Sequence, residues 1–249
     1  MLKTALSLLP QRLQIPIKKF ARKFFNRPLG REELADVYLK GQGIEIGALH
    51  QPLALSRHAR VKYVDRFSLK DLREHYPELR HLPLVSVDII DDGEKLSTIS
   101  NETQDFVIAN HFVEHSQNPL LTLTNLFRVL NRGGVLYIAL PDKRYTFDKD
   151  RPITPLEHLL KDYSQGPEQS KQAHFEEWVR LVNKIEEPIA AKKQLDNLIG
   201  TDYSIHFHVW TQSEMLEMFL ALKKQLQIAF DIEACLKNGG EFILVLRKN

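Results

Sequence analysis

The stretch Gly43-Ile44-Glu45-Ile46-Gly47-Ala48-Leu49-His50-Gln51-Pro52 constrains this chain more than any other. A short apolar run ends in a carboxylate and then a glycine turn. Twenty residues past Glu45 a second apolar run, residues 61–64, ends in Asp65. Strand, glycine turn, helix, strand, acid is the layout of a nucleoside-binding α/β unit. In it the glycine lets backbone approach the ligand, and the acid accepts hydrogen bonds from ribose hydroxyls.

The rest of the chain extends that pattern. Strands are expected at 44–46, 61–64, 85–90, 106–109 and 135–140, with helices at 53–60, 68–76 (ending before Pro77) and 120–130. Leu120, Leu123, Leu126, Phe127 and Leu130 recur at helical spacing and stop at Gly133-Gly134. Alternating strand and helix predicts a doubly wound parallel sheet covered on both faces. Residues 142–205 break the rhythm with helices at 155–163, 171–185 and 189–199, and read as an insertion or lid beyond the strand ends. A strand at 206–210 and a helix at 211–226 follow. The last two strands, 230–236 and 241–247, are joined by Lys237-Asn238-Gly239-Gly240, so they must be antiparallel. The expected fold is α/β with a doubly wound seven-stranded sheet, the first five strands closed by the C-terminal antiparallel hairpin, and a helical insertion after the fifth strand.

Bulk composition sets limits on function. A net charge of +2 gives no global basic field, so no nucleic-acid partner is expected. The single cysteine, Cys235, excludes an internal disulfide and a cysteine-based zinc cage, and fits the cytoplasm. Charge is unevenly placed. Residues 1–31 hold eight Lys or Arg and no acid, against 26 basic and 32 acidic residues elsewhere. We therefore separate a basic helical extension, 1–31, from a main domain, 32–249. Ile17, Phe20, Ala21 and Phe24 form one helical stripe with lysines and arginines mostly off it. It reads either as a packed N-terminal helix or as a peripheral contact, through residues 1–27, with the inner face of a membrane.

Four segments resemble class I S-adenosylmethionine (SAM)-dependent methyltransferases of the type 11 kind, from about residue 43 to 247. They are Glu45-Ile46-Gly47-Ala48, Asp65, the run Asp105–Phe106 through Asn110-His111-Phe112-Val113-Glu114-His115, and Arg128-Val129-Leu130-Asn131-Arg132-Gly133-Gly134. The resemblance implies a Rossmann-like fold and SAM as cofactor. It implies that Glu45, Gly47 and Ala48 lie near the amino-acid part of SAM, and that Asp65 and Arg66 lie at the ribose. Asp92 or Asp91 would meet the adenine amine, and Asn110 the sulfonium end. The chain departs from the family at Leu49, where a second glycine is usual. A pyrophosphate needs close backbone approach that SAM does not, so Leu49 counts against a nicotinamide cofactor.

Methyl transfer to a hydroxyl calls for an aligned acceptor and a general base, most often histidine. His115, His158 and His174 are the leading candidates, with His111 next. His111-Phe112-Val113-Glu114-His115 also spells the inverted zinc-protease pattern, which requires both histidines on one helix. Some SAM-dependent O-methyltransferases, of the ubiquinone pathway and of small RNA, place Glu-x-x-Glu-His here with a later histidine to bind a divalent ion. By that resemblance Glu114, His115 and His174 are candidate metal ligands. The loop after the fifth strand offers Asp142, Arg144, Tyr145, Asp148 and Arg151 for a hydroxylated acceptor, and His206 and His208 share a face of their expected strand. The loop, with Thr154-Pro155-Leu156-Glu157-His158, resembles methyltransferases of bacterial surface-polysaccharide pathways. The expected activity is O-methylation of a sugar or glycan-linked small molecule. The alternatives are metal-assisted O-methylation and a non-catalytic SAM-binding or membrane-associated scaffold.

Overall fold

The computed structural model describes residues 29–249, so residues 1–28 of the basic extension, and with them the choice between a packed helix and a membrane contact through residues 1–27, lie outside the described residues. Helix α1 (Arg31–Tyr38) leads into strand β1 (Gly41–Ile46), which is followed by β2 (Ala59–Asp65) and α2 (Leu69–His75). Next come β3 (Ile89–Ile90), β4 (Gln104–Asn110), α3 (Pro119–Val129) and β5 (Leu130–Pro141). Helices α4 (Leu156–Gln165), α5 (Glu168–Leu181) and α6 (Pro188–Gly200) form the insertion. Helix α7 (Gln212–Lys224) and the hairpin β6 (Phe230–Asn238)–β7 (Glu241–Lys248) close the chain.

The sheet order is β3-β2-β1-β4-β5-β7-β6, with β1 to β5 parallel and β7 antiparallel to both neighbours. Successive side chains on a strand alternate between faces, and here both faces are buried. Ile44, Ile46, Val107, Ala109, Leu136 and Ile138 join α3 and α7 in one core. Phe106, Ile108, Tyr137, Ile243 and Val245 join Leu34 and Ala35 of α1 and Leu39 just after it in the other. A third cluster, Phe175, Val179, Leu198, Ile205 and Phe207, holds the insertion together. No described helix is long and apolar enough to cross a membrane.

Three expected elements differ. Residues 51–56 carry no helix. Pro52 and the early start of β2 leave too few residues to nucleate one, and the Leu53 N–H is taken by the Glu45 carboxylate. The third strand is cut to two residues, because the Val85 N–H bonds the Leu49 carbonyl of the glycine turn instead of a strand. Residues 203–210 form no strand. The N–H groups of Phe207 and His208 both donate to the Glu114 carbonyl, and that of Val209 to Thr154 Oγ1, so the segment is bonded by loops.

Candidate functional site

In open α/β sheets, ligands bind beyond the carboxyl ends of the strands where the strand order reverses. That point here is between β1 and β4. A cavity of about 340 Å³ lies there, lined by Gly47, Leu49, Asp65, Arg66, Tyr76, Asp92, Gly93, Glu94, His111, Phe112, His115, Tyr203 and Ser204, among others. A larger hollow of about 510 Å³ is lined by Gly41, Asp105 and Val135, among others. It sits at the strands' opposite ends and gathers no acid–base cluster, so the smaller cavity is the candidate.

Gly47 turns with φ +62°, and Leu49 follows it into the left-handed region at φ +50°. Leu49 thus adopts the backbone that glycine takes freely, at a cost of about 1 kcal/mol. Burial pushes the Asp65 carboxyl above its usual range, against the N–H groups of Phe67 and Arg66. The Phe67 N–H reaches it only at 3.4 Å, leaving acceptor capacity toward the cavity. Arg66 spans the rim, donating to Tyr76 Oη at 2.8 Å and facing Asp202. Asp92 lines the cavity, whereas Asp91 turns away to accept from Thr98 N and Oγ1. Glu45 and Ala48 are not in the lining. Glu45 is buried behind the turn, both oxygens on Leu53 N. At the end of β4, both amide atoms of Asn110 are buried without a hydrogen-bond partner, and Asn110, like Glu45 and Ala48, is not in the lining. The turn, Asp65 and Asp92 together fit a nucleoside carrying an amino-acid arm.

The next turn carries the charge. His111 has φ +50°, and Val113–His115 is one turn of 3-10 helix, which excludes the protease reading with both histidines on one α-helix. Burial disfavours a charged His111, but its contacts with Glu114 and Glu241 outweigh it and raise its pKa to about 9. His111 Nε2 is 2.6 Å from Glu241 Oε2, and Arg31 binds the same carboxylate. His111 is therefore an imidazolium at neutral pH and has no lone pair to act as a base.

Glu114 is fully buried. Burial works against its charge, yet His111 and the neighbouring imidazoles hold its carboxyl below the usual range. His111 Nδ1 approaches it at 3.4 Å as an ion pair, and neither carboxylate oxygen accepts a hydrogen bond. Glu114, His115 and His206 bring ligand atoms within 4.8 Å of one another. His115 Nδ1–H donates to the Ile205 carbonyl at 2.9 Å, with Ser204 Oγ 3.1 Å away. His206 Nδ1 faces Asp148 Oδ2 at 2.7 Å. Each ring thus has Nε2 left over, oriented by a partner on Nδ1 as metal-binding histidines are. Burial pushes His115 down to about 4, which keeps it neutral but makes it a weak base.

The other expected residues fall elsewhere. His174 does not join Glu114 and His115; with His158 it belongs to a separate group around His208. Asp142 is bound by Arg144, Tyr145 is exposed against Lys237, and Arg151 is buried among Asp148, Glu177 and two carbonyls. None of these lines the cavity. His206 and His208 serve two different clusters. Sequence reasoning missed Tyr76, Glu94, Phe112, Tyr203 and Ser204. Glu94 had a signal in its place right after Asp-Asp-Gly; Tyr203 and Ser204 had none beyond closing the insertion.

Residues 41–138 match a family model described as a methyltransferase domain. No curated protein matches the chain. A solved structure from Rhodobacter sphaeroides, provisionally named a Zn-dependent alcohol dehydrogenase, aligns with TM-score 0.53 at 15% identity over 90% of this chain and 91% of that one. A SAM-dependent methyltransferase from Aquifex aeolicus aligns with TM-score 0.44 at 12% identity over 93% and 89%. A protein of Bacillus halodurans, provisionally named a methyltransferase, aligns with TM-score 0.47 at 15% identity over 86% and 95%. At such identity the Rhodobacter likeness is one of fold. The antiparallel β7 between β5 and β6 departs from the 3-2-1-4-5-6 order of dinucleotide-binding sheets.

Proposed function

We propose that this SAM-dependent methyltransferase methylates a hydroxyl of a polar acceptor, a sugar or glycan-linked small molecule, with a divalent cation held by Glu114, His115 and His206. SAM supplies a methyl group already activated on a sulfonium, so the protein's task is alignment and handling of the acceptor proton. The observation that carries the reading is Glu114, an ionised carboxylate with no exposure and no hydrogen bond to either oxygen. The His111 imidazolium balances that charge from 3.4 Å, and both carboxylate oxygens keep lone pairs open to a bound cation. Two imidazoles and a carboxylate with oriented outer partners suit a transition-metal ion, which lowers the pKa of a bound hydroxyl. A free histidine base is the weaker alternative, since His111 is charged and His115 is hard to protonate. The hydroxylated acceptor is supported by the rim of Tyr76, Glu78, Tyr203 and Ser204 beside His115, where aromatic faces can meet sugar C–H surfaces and polar atoms its hydroxyls.

SAM affinity by calorimetry and turnover on a panel of sugars and glycosides, before and after chelation, test the reading. Glu114→Gln and His206→Gln are expected to lower turnover at least 100-fold and leave SAM affinity within a few-fold. Turnover untouched by both chelation and Glu114→Gln discards the cation. Absence of heat on SAM addition discards the enzyme reading.

A further inference from the structure

Outside the cavity, four side chains converge without enough protons to satisfy them. His158 and Asp162 sit one turn apart on α4, His174 on α5 and His208 on the 203–210 segment. Their ligand atoms all lie within 4.8 Å of one another. His158 Nε2 is 3.0 Å from His174 Nε2 and 3.1 Å from Asp162 Oδ2. Two imidazole nitrogens that close share one proton at most, and a proton spent on His174 is lost to Asp162. His208 is fully buried; its Nε2–H points to the Gln117 carbonyl at 3.4 Å, and Nδ1 has no partner. Asp162 is 2% exposed; Oδ1 accepts from Ser170 Oγ at 2.9 Å, while Oδ2 accepts no hydrogen bond.

We propose that His158, Asp162, His174 and His208 form a closed four-ligand site for a zinc-type divalent ion. Three imidazoles and one carboxylate are a zinc donor set, poorly suited to magnesium or calcium. Ligand atoms about 2.0–2.1 Å from a tetrahedral ion stand roughly 3.3 Å apart, close to the 3.0 and 3.1 Å found here. Ser170 on Asp162 and the Gln117 carbonyl on His208 supply the outer contacts that orient metal ligands. Four protein ligands leave no open position, so the ion is structural. It ties α4 and α5 to the segment that carries His206, two residues before His208. The His158 side chain, 28% exposed, gives the ion its way in.

The test uses the full chain, stripped with chelator and titrated with Co²⁺ and then Zn²⁺. The proposal expects one tight equivalent with the strong visible absorption of four-coordinate cobalt, displaced by zinc, and a higher melting temperature with zinc bound. Glu114→Gln disables the other cluster and is expected to keep this equivalent. Asp162→Asn and His158→Gln are each expected to weaken zinc at least 100-fold; His158, being partly exposed, is the variant least prone to misfold. A wild-type chain with no tight four-coordinate equivalent overturns the proposal. So does a four-coordinate equivalent that, in the Glu114→Gln background, survives both Asp162→Asn and His158→Gln, or one lost only in Glu114→Gln, and the last outcome leaves the cation at Glu114 standing.

Discussion

Two residues at the glycine turn show how much of the site is fixed by single atoms. A Cβ on Gly93 would stand 2.6 Å from Ile46 Cγ2 and 2.7 Å from Phe112 Cζ, both on the cavity wall. Gly93→Ala must push one of them, at a cost of about 1–3 kcal/mol. Urea unfolding should show that loss, and calorimetry a weaker SAM site; an unchanged midpoint would mean the wall gives way freely. Glu45 offers a pH test. Burial pushes its carboxyl up to about 7, against the Leu53 N–H and Arg31. Between pH 4.5 and 7 the folded chain keeps a proton that the unfolded chain has released, so this group's contribution to stability falls as pH rises through that window and is flat above it. Glu45→Gln still accepts from Leu53 N and does not titrate. Melting of parent and variant across pH 4.5–8 should diverge in the variant's favour by on the order of 1–3 kcal/mol, and parallel curves would refute the assignment. Glu45 stands out in the sequence as a site residue, but strand alternation sends it to the face opposite Ile44 and Ile46. The motif marks the turn; it does not say which side of the turn the acid serves.

Elements were legible where their apolar period was long and their hydrogen bonds local. Helix α3 and the hairpin β6–β7 came out within a few residues because pattern and turn chemistry agree. The 203–210 segment did not, because its alternation matches a strand while its hydrogen bonds go to Glu114 and Thr154. No local rule reveals that, since the partners lie far off in sequence. The same long-range bonding replaced His174 by His206 beside Glu114. Arg151 is the pivot: 2% exposed, it bonds Asp148, Glu177 of α5 and the carbonyls of His206 and Phe207. Arg151→Met would strand the buried Asp148 charge and free two carbonyls, a loss of about 3–5 kcal/mol. Denaturant unfolding checks the loss. Turnover should fall as well, because Asp148 and the carbonyl of His206 would no longer be held; stability lost with full turnover retained would separate Arg151 from His206.

Across the whole molecule, the parallel build of the sheet and its antiparallel close were legible, and the strand order and the partition of its cores were not. Strand and helix alternation gives a parallel sheet, and the Gly239-Gly240 turn gives the antiparallel close, but which apolar residues meet depends on tertiary placement. The insertion buries its own cluster around Phe175 and Phe207, separate from the two cores on the sheet. Such a unit can open without the sheet, since local opening costs less than global unfolding where fewer core contacts are broken. Native-state hydrogen exchange should therefore show α5 and α6 opening at a lower free energy than β4, β5 and β7. Adding SAM should slow exchange around residues 47–49, 92–94 and 111–115, and at Tyr203 and Ser204, because those residues line the cavity. The centre of β5, already inaccessible, should not change. If α5 and α6 exchange only with the sheet, the two are one cooperative unit. The cavity wall at Tyr203 and Ser204 would then be as fixed as the strands, and acceptor entry would depend on side-chain movement at the rim alone.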